Sequence, residues 1–381
     1  MPQPRSNPIE REIANALRRQ EVIRGLPGAT IQDVQQPDPP FDIGFELRSG
    51  GNRIRVLGEI RAAFTPRIIA DIAPWVRRLK SLRPDVAIAL IAPGLSEQAQ
   101  SFCIQNDIDF LDLAANVSIN VPGKFTLRRT GMRARSLPGE MSEAKQAGNV
   151  FSGRYSRILR VLLENPKQWT LTEIDRELKE QNKDFSQRFP KAPKIDFAVS
   201  LGAISKAISS LEEQLWIRRR GMAIVVPEPG RLLEQWAEKY RERYRWRLRS
   251  SFQTANPFGT ELASIIGGLD RLVPGMYAFS SAMAASADSP FVDIDVVDVF
   301  LLPGKAEASL RKLKSESNRG PLLRFINPYD VGVFMYAKPV LGAAVVSSIQ
   351  AYLDLYARGG RDLKQAEYLL QNTIRPGWTN P

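Results

Sequence analysis

The stretch SLGAISKAISSLEEQLWIRRRGMAIVV, residues 200–226, decides the interpretation of this chain. Apolar side chains recur at helical spacing through its first half and predict a helix with one buried face. Its second half predicts a strand over 215–218, a turn over 219–222 and a second strand over 223–226. The stretch therefore predicts a helix followed by a β-hairpin. The buried face of the helix would consist of Leu201, Ile204, Ile208 and Leu211.

Two more helices are predicted upstream. Apolar residues recur at helical spacing over 155–163, and Thr172 is the expected N-cap of a second helix over 174–178. A polar insertion over 181–196 then separates the second helix from the third. Three helices followed by a hairpin are the pattern of a winged helix-turn-helix, which we assign to residues 151–250.

The outward face of the third helix is small, polar and basic, and such a face can enter a DNA major groove without clashing. Ser205, Lys206 and Ser209 could reach base edges or phosphates, and the sequence leaves open which. The run Arg218–Arg220 suits phosphate or minor-groove contact; the alternative is a solvated charged turn, and its place on the wing favours DNA. The residues predicted to contact DNA are Ser200, Ser205, Lys206, Ser209, Ser210, Arg218, Arg219 and Arg220.

The charge of the chain is concentrated in the same region. The sequence has 53 Lys and Arg against 41 Asp and Glu, a formal net charge of +12. Residues 151–250 carry 21 against 13, a difference of +8, whereas residues 1–150 carry 20 against 16 and residues 251–381 carry 12 against 12. A polyanionic partner would therefore be held mainly by the middle third.

A long amphipathic helix is predicted after the hairpin, over about 230–249. Trp236, Tyr240, Tyr244 and Leu248 are spaced by four residues, and we interpret this stripe as core or dimer packing rather than a base-stacking platform. Basic residues flank the stripe, either along a phosphate backbone or simply in solvent: Lys239, Arg241, Arg243, Arg245, Arg247 and Arg249. A basic linker over 128–150 raises the same alternatives for Arg128, Arg129, Arg133 and Arg135.

Residues 1–127 are predicted to form a separate α/β domain. A first helix covers about 8–24, and the alternating segments 41–47 and 54–61 predict a hairpin around the turn SGGN. The remaining elements are a helix over 66–83, a buried strand over 86–91, a helix over 96–106 and short strands at 110–113 and 117–119.

Three charged side chains of that hairpin suggest a metal-dependent nuclease site. Asp42 lies on its first strand, and Glu59 and Arg61 share a face of the second because side chains alternate along a strand. Such a nuclease uses two carboxylates to hold a divalent ion and a cation near the attacking water. The arrangement resembles the PD-(D/E)XK restriction-endonuclease-like fold, with Glu59-Ile60-Arg61 at the E-x-K position.

Arg61 departs from that pattern, because arginine is planar and permanently charged where the pattern has a tunable lysine. We therefore expect a vestigial site without catalysis, in which Asp42 and Glu59 would bind magnesium only if the site were active. The alternative is that both carboxylates are simply exposed positions on half-buried strands.

Residues 251–381 alternate predicted strands, over 291–302 and 322–326, with predicted helices over 346–357 and 363–374. Three segments resemble AbiEi-family regulators, the antitoxin halves of type IV toxin–antitoxin systems: LLEQWA at 232–237, YAFSSAMAA at 277–285, and QAYLDL at 350–355 followed by GGR. The resemblance covers residues 150–381. It implies an AbiEi-like C-terminal α/β domain, in which 277–285 is a small-residue helix, and a DNA-binding repressor of its own promoter with a nucleotidyltransferase toxin as partner. The residues alone leave a dimerisation or partner-docking domain as the alternative.

The composition excludes several classes of protein. Histidine is absent, which removes Ser-His-Asp triads, HExxH zinc sites and histidine general bases. The single cysteine, Cys103, cannot form an internal disulfide and is expected to be buried and inert. A long uncharged apolar stretch and a signal-like N-terminus are both lacking, so we expect a cytoplasmic protein with no membrane partner.

The sequence thus predicts an α/β multidomain transcriptional regulator, a homodimeric repressor that binds double-stranded DNA sequence-specifically and needs no cofactor. Enzymatic activity is not expected. One alternative is a magnesium-dependent DNA endonuclease subunit of a defence or mobile-element system. Another is an antitoxin that acts on a toxin through protein–protein contact.

Overall fold

The computed structural model describes residues 8–37, 41–132, 150–249, 251–288, 294–302, 310, 313 and 317–379. The chain divides into two compact units, one formed by residues 1–147 with 212–215 and the other by 148–211 with 216–381. It is a mixed α/β protein, and its described part contains sheets of seven, six and two strands. Within that part, none of the helices combines the length and the apolar character needed to cross a membrane.

The first unit is built on the seven-stranded sheet, ordered β1 to β7 as in the sequence. Its central strands β3, β4 and β5 are parallel to one another, and the other neighbours are antiparallel. The strands are β1 Thr30–Gln35, β2 Ile43–Ser49, β3 Asn52–Ile60, β4 Val86–Ala92, β5 Asp109–Asp112, β6 Val117–Val121 and β7 Phe125–Arg129. The helices are α1 Pro8–Arg18, α2 Pro66–Leu82 and α3 Glu97–Gln105.

Strand β4 is buried on both faces of this sheet, and its alternating side chains enter two different hydrophobic clusters. Ala89 and Ile91 pack in the cluster that contains α1, whereas Ile88 and Leu90 pack in the cluster that contains α2 and α3. Because successive side chains of a strand point to opposite faces, the helices cover the sheet on both sides. Cys103 lies on α3 and is buried as predicted; burial, reinforced by the Asp109 carboxylate, raises the pKa of its thiol to about 12.

The hairpin predicted from the alternating segments is confirmed, with β2 and β3 paired from Ile43 opposite Gly58 to Ser49 opposite Asn52. The turn uses the two glycines between those last partners, at φ +58° and +81°, a conformation that glycine adopts without strain. Strands β1 and β7 were not predicted. The predicted first helix is too long, because α1 ends at Arg18 and only a short 3₁₀ turn follows, at Glu21–Ile23.

Strand β7 also corrects the predicted linker. It extends to Arg129, so Arg128 and Arg129 belong to the sheet rather than to a linker that begins at 128. The side chain of Arg129 donates from Nε to the carbonyl oxygen of Ala115, at 2.8 Å. Arg133 and Arg135 lie outside the described residues.

The second unit begins with the three helices and the hairpin that the sequence predicts, in the predicted order. They are α4 Tyr155–Glu164, α5 Leu171–Arg188, α6 Leu201–Glu213, β8 Arg218–Arg220 and β9 Ala223–Val225, followed by the long helix α7 Pro229–Arg249. The predicted insertion over 181–196 is wrong in its first half, because α5 continues to Arg188. Phe185 is buried there and its ring lies 5.5 Å from that of Phe197, so distant residues supply the packing that the local pattern lacks.

The remainder of this unit is a six-stranded mixed sheet, ordered β10-β13-β12-β11-β15-β14. Its strands are β10 Phe252–Thr254, β11 Tyr277–Ser280, β12 Val296–Leu301, β13 Leu322–Ile326, β14 Lys338–Val340 and β15 Ala343–Val345. Its helices are α8 Leu262–Leu272, α9 Ser281–Asp288, α10 Ser348–Arg358, α11 Arg361–Leu369 and α12 Arg375–Thr379, with a π-helical turn at Leu370–Ile374. The small-residue helix expected over 277–285 is wrong for its first four residues, which form the interior strand β11.

The predicted domain boundary at residue 250 falls inside a continuous hydrophobic core. One hydrophobic core runs from Val150 to Ile374 and includes residues from α4 to α7 as well as the six-stranded sheet. The ring of Tyr244, on α7, lies 5.4 Å from that of Tyr329 and 6.5 Å from that of Phe300 on β12. The predicted winged-helix and C-terminal domains therefore share a single core.

Candidate functional site

Helix α6 has a buried and an exposed face as predicted, except that Leu201, expected in the buried face, is 49 % exposed. Ile204, Ala207, Ile208 and Leu211 are buried on its inner face. On the opposite face Gly202, Lys206 and Ser209 are exposed, and Ser205 and Ser210 are half-buried. The hydroxyl of Ser200 accepts a hydrogen bond from the N–H of Ala203 at 3.3 Å, so this serine caps the helix. Its contact with DNA stays a prediction.

The arginine run lies in a strand rather than in the predicted turn. Arg218, Arg219 and Arg220 form β8, and all three are exposed. The turn consists of Gly221, at φ +61°, and Met222, whose side chain is 84 % exposed at the tip of the hairpin. Since side chains alternate along a strand, Arg218 and Arg220 extend from the face opposite to Arg219.

A hydrogen bond joins the hairpin to α6. The guanidinium of Arg219 donates from Nη2 to the hydroxyl of Ser209 at 2.9 Å, and both residues are exposed. Two of the predicted DNA-contacting residues therefore lie side by side, one from the helix and one from the hairpin. Together they form a continuous polar and basic surface across the two elements.

Trp169 anchors the other strand of the hairpin, a contact that the sequence did not predict. The backbone N–H of Trp169 donates to the carbonyl oxygen of Ile224 at 2.9 Å, and the backbone N–H of Ile224 donates to the carbonyl oxygen of Trp169 at 2.6 Å. The indole is 2 % exposed and packs in the core, and the ammonium of Lys167 lies 4.3 Å from its ring centroid. The hairpin is thus fixed to the segment between α4 and α5 as well as to α6.

The start of α5 differs from the prediction by two residues. Thr170, not Thr172, is the N-cap: its hydroxyl accepts from the N–H of Glu173, whose carboxylate in turn accepts from the N–H of Thr170. These reciprocal bonds form a capping box and lower the pKa of Glu173, first through the hydroxyl of Thr170. The connection from α5 to α6 covers 189–200, which is longer than the turn of a compact helix-turn-helix.

The aromatic stripe of α7 packs in the core, as the sequence predicts. Trp236, Tyr240 and Tyr244 are each at most 3 % exposed. The hydroxyl of Tyr240 donates to the carboxylate of Asp354 at 2.6 Å, and Gln350 donates to the same carboxylate at 2.8 Å. Burial raises the pKa of Asp354 to about 6 despite these bonds. The stripe is therefore unavailable for stacking on bases.

The nuclease-like residues lie at adjacent strand ends in the first unit. Asp42 precedes β2, and its Oδ2 accepts a hydrogen bond from the N–H of Ile60 at 2.7 Å. Glu59 and Arg61 face the same side as predicted, and the guanidinium binds Glu59 Oε1 through Nη2 at 3.1 Å and Nε at 3.2 Å. The guanidinium also lies 5.9 Å from the ring centroid of Phe64.

These residues do not fit a magnesium site. One oxygen of Asp42 is taken by a backbone N–H, and Arg61 holds the carboxylate of Glu59 where a metal ion would bind. Throughout the described ranges, no group of three or more His, Cys, Asp and Glu side chains is placed to hold a metal. The carboxyl groups of this unit with a raised pKa are elsewhere: burial raises the pKa of Asp109 to about 6 and also raises that of Asp112.

Comparisons with known proteins give little beyond this geometry. Neither a protein-family model nor a curated protein matches the chain. Among solved structures it is similar to EndoMS in its apo form, with a TM-score of 0.21 and 19% sequence identity. The likeness covers 28% of this chain and 47% of that one, which is less than half of its length. A likeness at this score carries no conclusion about activity, and the resemblance to AbiEi-family regulators gains no support.

Proposed function

We propose that the protein is a transcriptional regulator that binds double-stranded DNA sequence-specifically through α6 and the β8–β9 hairpin, a winged helix-turn-helix. The observation that carries this proposal is the hydrogen bond that places Arg219 of β8 beside Ser209, on the exposed face of α6 that also bears Lys206. Helix α6 would enter the major groove, since its outward side chains are short and Gly202 leaves room for close approach. The arginines of β8 would contact phosphates beside that groove.

The charge distribution supports this assignment. The surface lies within residues 151–250, which carry the excess of +8 from 21 basic and 13 acidic residues. Each phosphate neutralised by a lysine or arginine releases condensed counterions, so affinity should fall steeply as salt concentration rises. Repression and an antitoxin role are further parts of the proposal that rest on the AbiEi resemblance alone, and dimerisation is a part that rests on the residues of 251–381.

The endonuclease alternative is not adopted, because Asp42 and Glu59 are already engaged and Arg61 occupies the E-x-K position. Incubation of supercoiled plasmid with magnesium or manganese tests this choice. Cleavage that Glu59→Ala abolishes would favour the enzyme instead.

The proposal is tested by selecting bound duplexes from a random library and measuring their affinity by fluorescence anisotropy across a range of salt concentrations. Lys206→Ala should weaken binding, whereas Lys364→Ala, an equal loss of charge on the exposed face of α11, should not. Replacing Arg218, Arg219 and Arg220 by alanine should reduce the slope of log K against log salt by about 0.9 for each phosphate that the variant no longer neutralises. An unchanged slope would remove the hairpin from the interface, and failure to bind any duplex at low salt would end the proposal.

A further inference from the structure

The second unit contains a cleft of about 550 Å³ that the proposed DNA surface does not include. Helices α7, α10 and α11 and the π-helical turn form its walls, and Trp216 lies at its edge. Its volume is within the range of sites that bind small molecules. The side chains that matter for its chemistry are Trp216, Glu234, Glu238, Tyr352, Tyr356 and Glu367.

The cleft is rich in carboxylates that lack a cationic partner. Arg375 pairs with Glu234 at 3.5 Å, and Arg231 pairs at 3.3 Å with Glu228, which is not part of the cleft lining. For Glu238 and Glu367, the described part of the chain supplies neither a lysine nor an arginine within ion-pairing distance. Glu238 accepts a hydrogen bond from the hydroxyl of Tyr356. Both arginines of the cleft thus pair with a carboxylate, while Glu238 and Glu367 form no ion pair with a described residue.

A largely buried tyrosine also lines the cleft. Tyr352 is 3 % exposed, and no described residue forms a hydrogen bond with its hydroxyl. Burial raises the pKa of Tyr352, and the charges of Glu234 and Glu367, which line the same cleft, raise it further, whereas Arg375 lowers it. The hydroxyl oxygen is not among the buried atoms that lack a partner in the described residues, so it is accessible from the cleft and can form a hydrogen bond with a ligand there.

We propose that this cleft binds an organic cation, a molecule with an ammonium or guanidinium group. The positive group would lie between Glu238 and Glu367, against the aromatic rings of Trp216 and Tyr356, and would contact the hydroxyl oxygen of Tyr352. Carboxylates and aromatic faces are the surroundings that organic cations prefer in proteins. The protein's net charge of +12 repels cations in general, so a specific site is needed to hold one.

Isothermal titration calorimetry on the full chain, without DNA, tests this proposal with choline, agmatine and spermidine as probes and inorganic phosphate as the opposite charge. At least one cation should bind with a Kd below about 1 mM, and phosphate should not compete with it. Glu367→Gln and Tyr352→Phe should each weaken binding by about fivefold to tenfold. Glu242→Gln is the matched control, since this residue is on α7 but pairs with Lys239 outside the cleft, and it should bind like the unaltered chain.

The proposal is overturned if none of the three cations binds at about 10 mM, if phosphate binds as well as they do, or if the cleft variants bind like the control. Glu367 is exposed, so its variant should fold even where a change at buried Tyr352 does not. Because the titration needs no DNA, its result does not depend on whether the proposed DNA-binding function is correct.

Discussion

The ion pair between Arg157 and Asp330 offers the most direct test of how the second unit is held together. Arg157 lies on α4, and its guanidinium donates from Nε to Asp330 Oδ1 at 2.9 Å and from Nη2 to Oδ2 at 2.8 Å. Its third nitrogen, Nη1, donates to the carbonyl oxygen of Asp196 at 2.9 Å. The two side chains are only 8% and 9% exposed. The pair thus joins the first helix of the proposed DNA-binding segment to the C-terminal half of the same core.

Arg157→Met should lower the free energy of unfolding by about 3–5 kcal/mol, because it leaves the Asp330 carboxylate buried without its partner. At a typical urea m-value of about 2–3 kcal/mol/M, the midpoint should fall by roughly 1–2.5 M. Tryptophan fluorescence is a suitable readout, since of the six tryptophans only Trp75 lies in the first unit. Adding Asp330→Asn should recover much of the loss, because asparagine removes the charge and can still accept from the N–H of Gly332.

The loss of unfolding free energy in Arg157→Met should also change with pH in a definite direction. Burial opposes the charged form of Asp330, but the hydrogen bonds and charge of Arg157 outweigh it and lower the pKa of the carboxyl. The pair therefore stabilises the folded state above the unfolded pKa near 3.8 and loses this effect as the pH falls through the folded value. In Arg157→Met the N–H of Gly332 and the charge of Arg160 remain, but burial, the largest influence, should now raise that pKa, so the loss of unfolding free energy should shrink on acidification from pH 7. A loss of unfolding free energy below about 1 kcal/mol, or a loss that is unchanged between pH 7 and pH 5, would refute the reasoning. The control is Lys179→Met, which breaks an exposed pair with Asp175 and should cost no more than about 0.5 kcal/mol.

Two further predictions concern single residues. Thr170→Ala should destabilise the second unit by about 1 kcal/mol in urea unfolding, because it removes the N-cap of α5. Thr172→Ala should be nearly neutral, and equal losses for the two variants would contradict the assignment of the cap. Cys103 should resist iodoacetamide at pH 8 in the folded protein and react once urea unfolds it, because burial raises the pKa of its thiol to about 12 and shields it. Mass spectrometry measures the labelling, and rapid labelling of the folded protein would contradict the prediction.

Periodicity and turn chemistry predicted the elements whose stabilising contacts are local. The β2–β3 hairpin follows from alternation and two glycines in the turn, and the two faces of α6 follow from apolar residues three and four apart. The buried stripe on α7 was foreseen for the same reason. The pairing of Glu59 with Arg61 also follows from the two-residue period of a strand.

The errors arose where distant residues decide the structure. The ring of Phe185 contacts that of Phe189, four residues on, as well as that of distant Phe334, but polar residues surround it in the sequence, and the helix was predicted to end too early. The hydrogen bond between Arg219 and Ser209 depends on how the hairpin folds back on α6, which no spacing rule gives. The cleft at Tyr352 could not be seen for the same reason, since its walls come from α7 and from helices more than a hundred residues later.

The shared core from Val150 to Ile374 bears on how such a protein can be engineered or can evolve by domain shuffling. Winged helices are often treated as portable modules. In a chimaera that received only residues 151–250, however, Trp236 and Tyr244 would lack the sheet that shields them from water. Recombination that keeps the proposed DNA-binding surface intact would have to transfer the whole second unit, crossing over upstream of Val150.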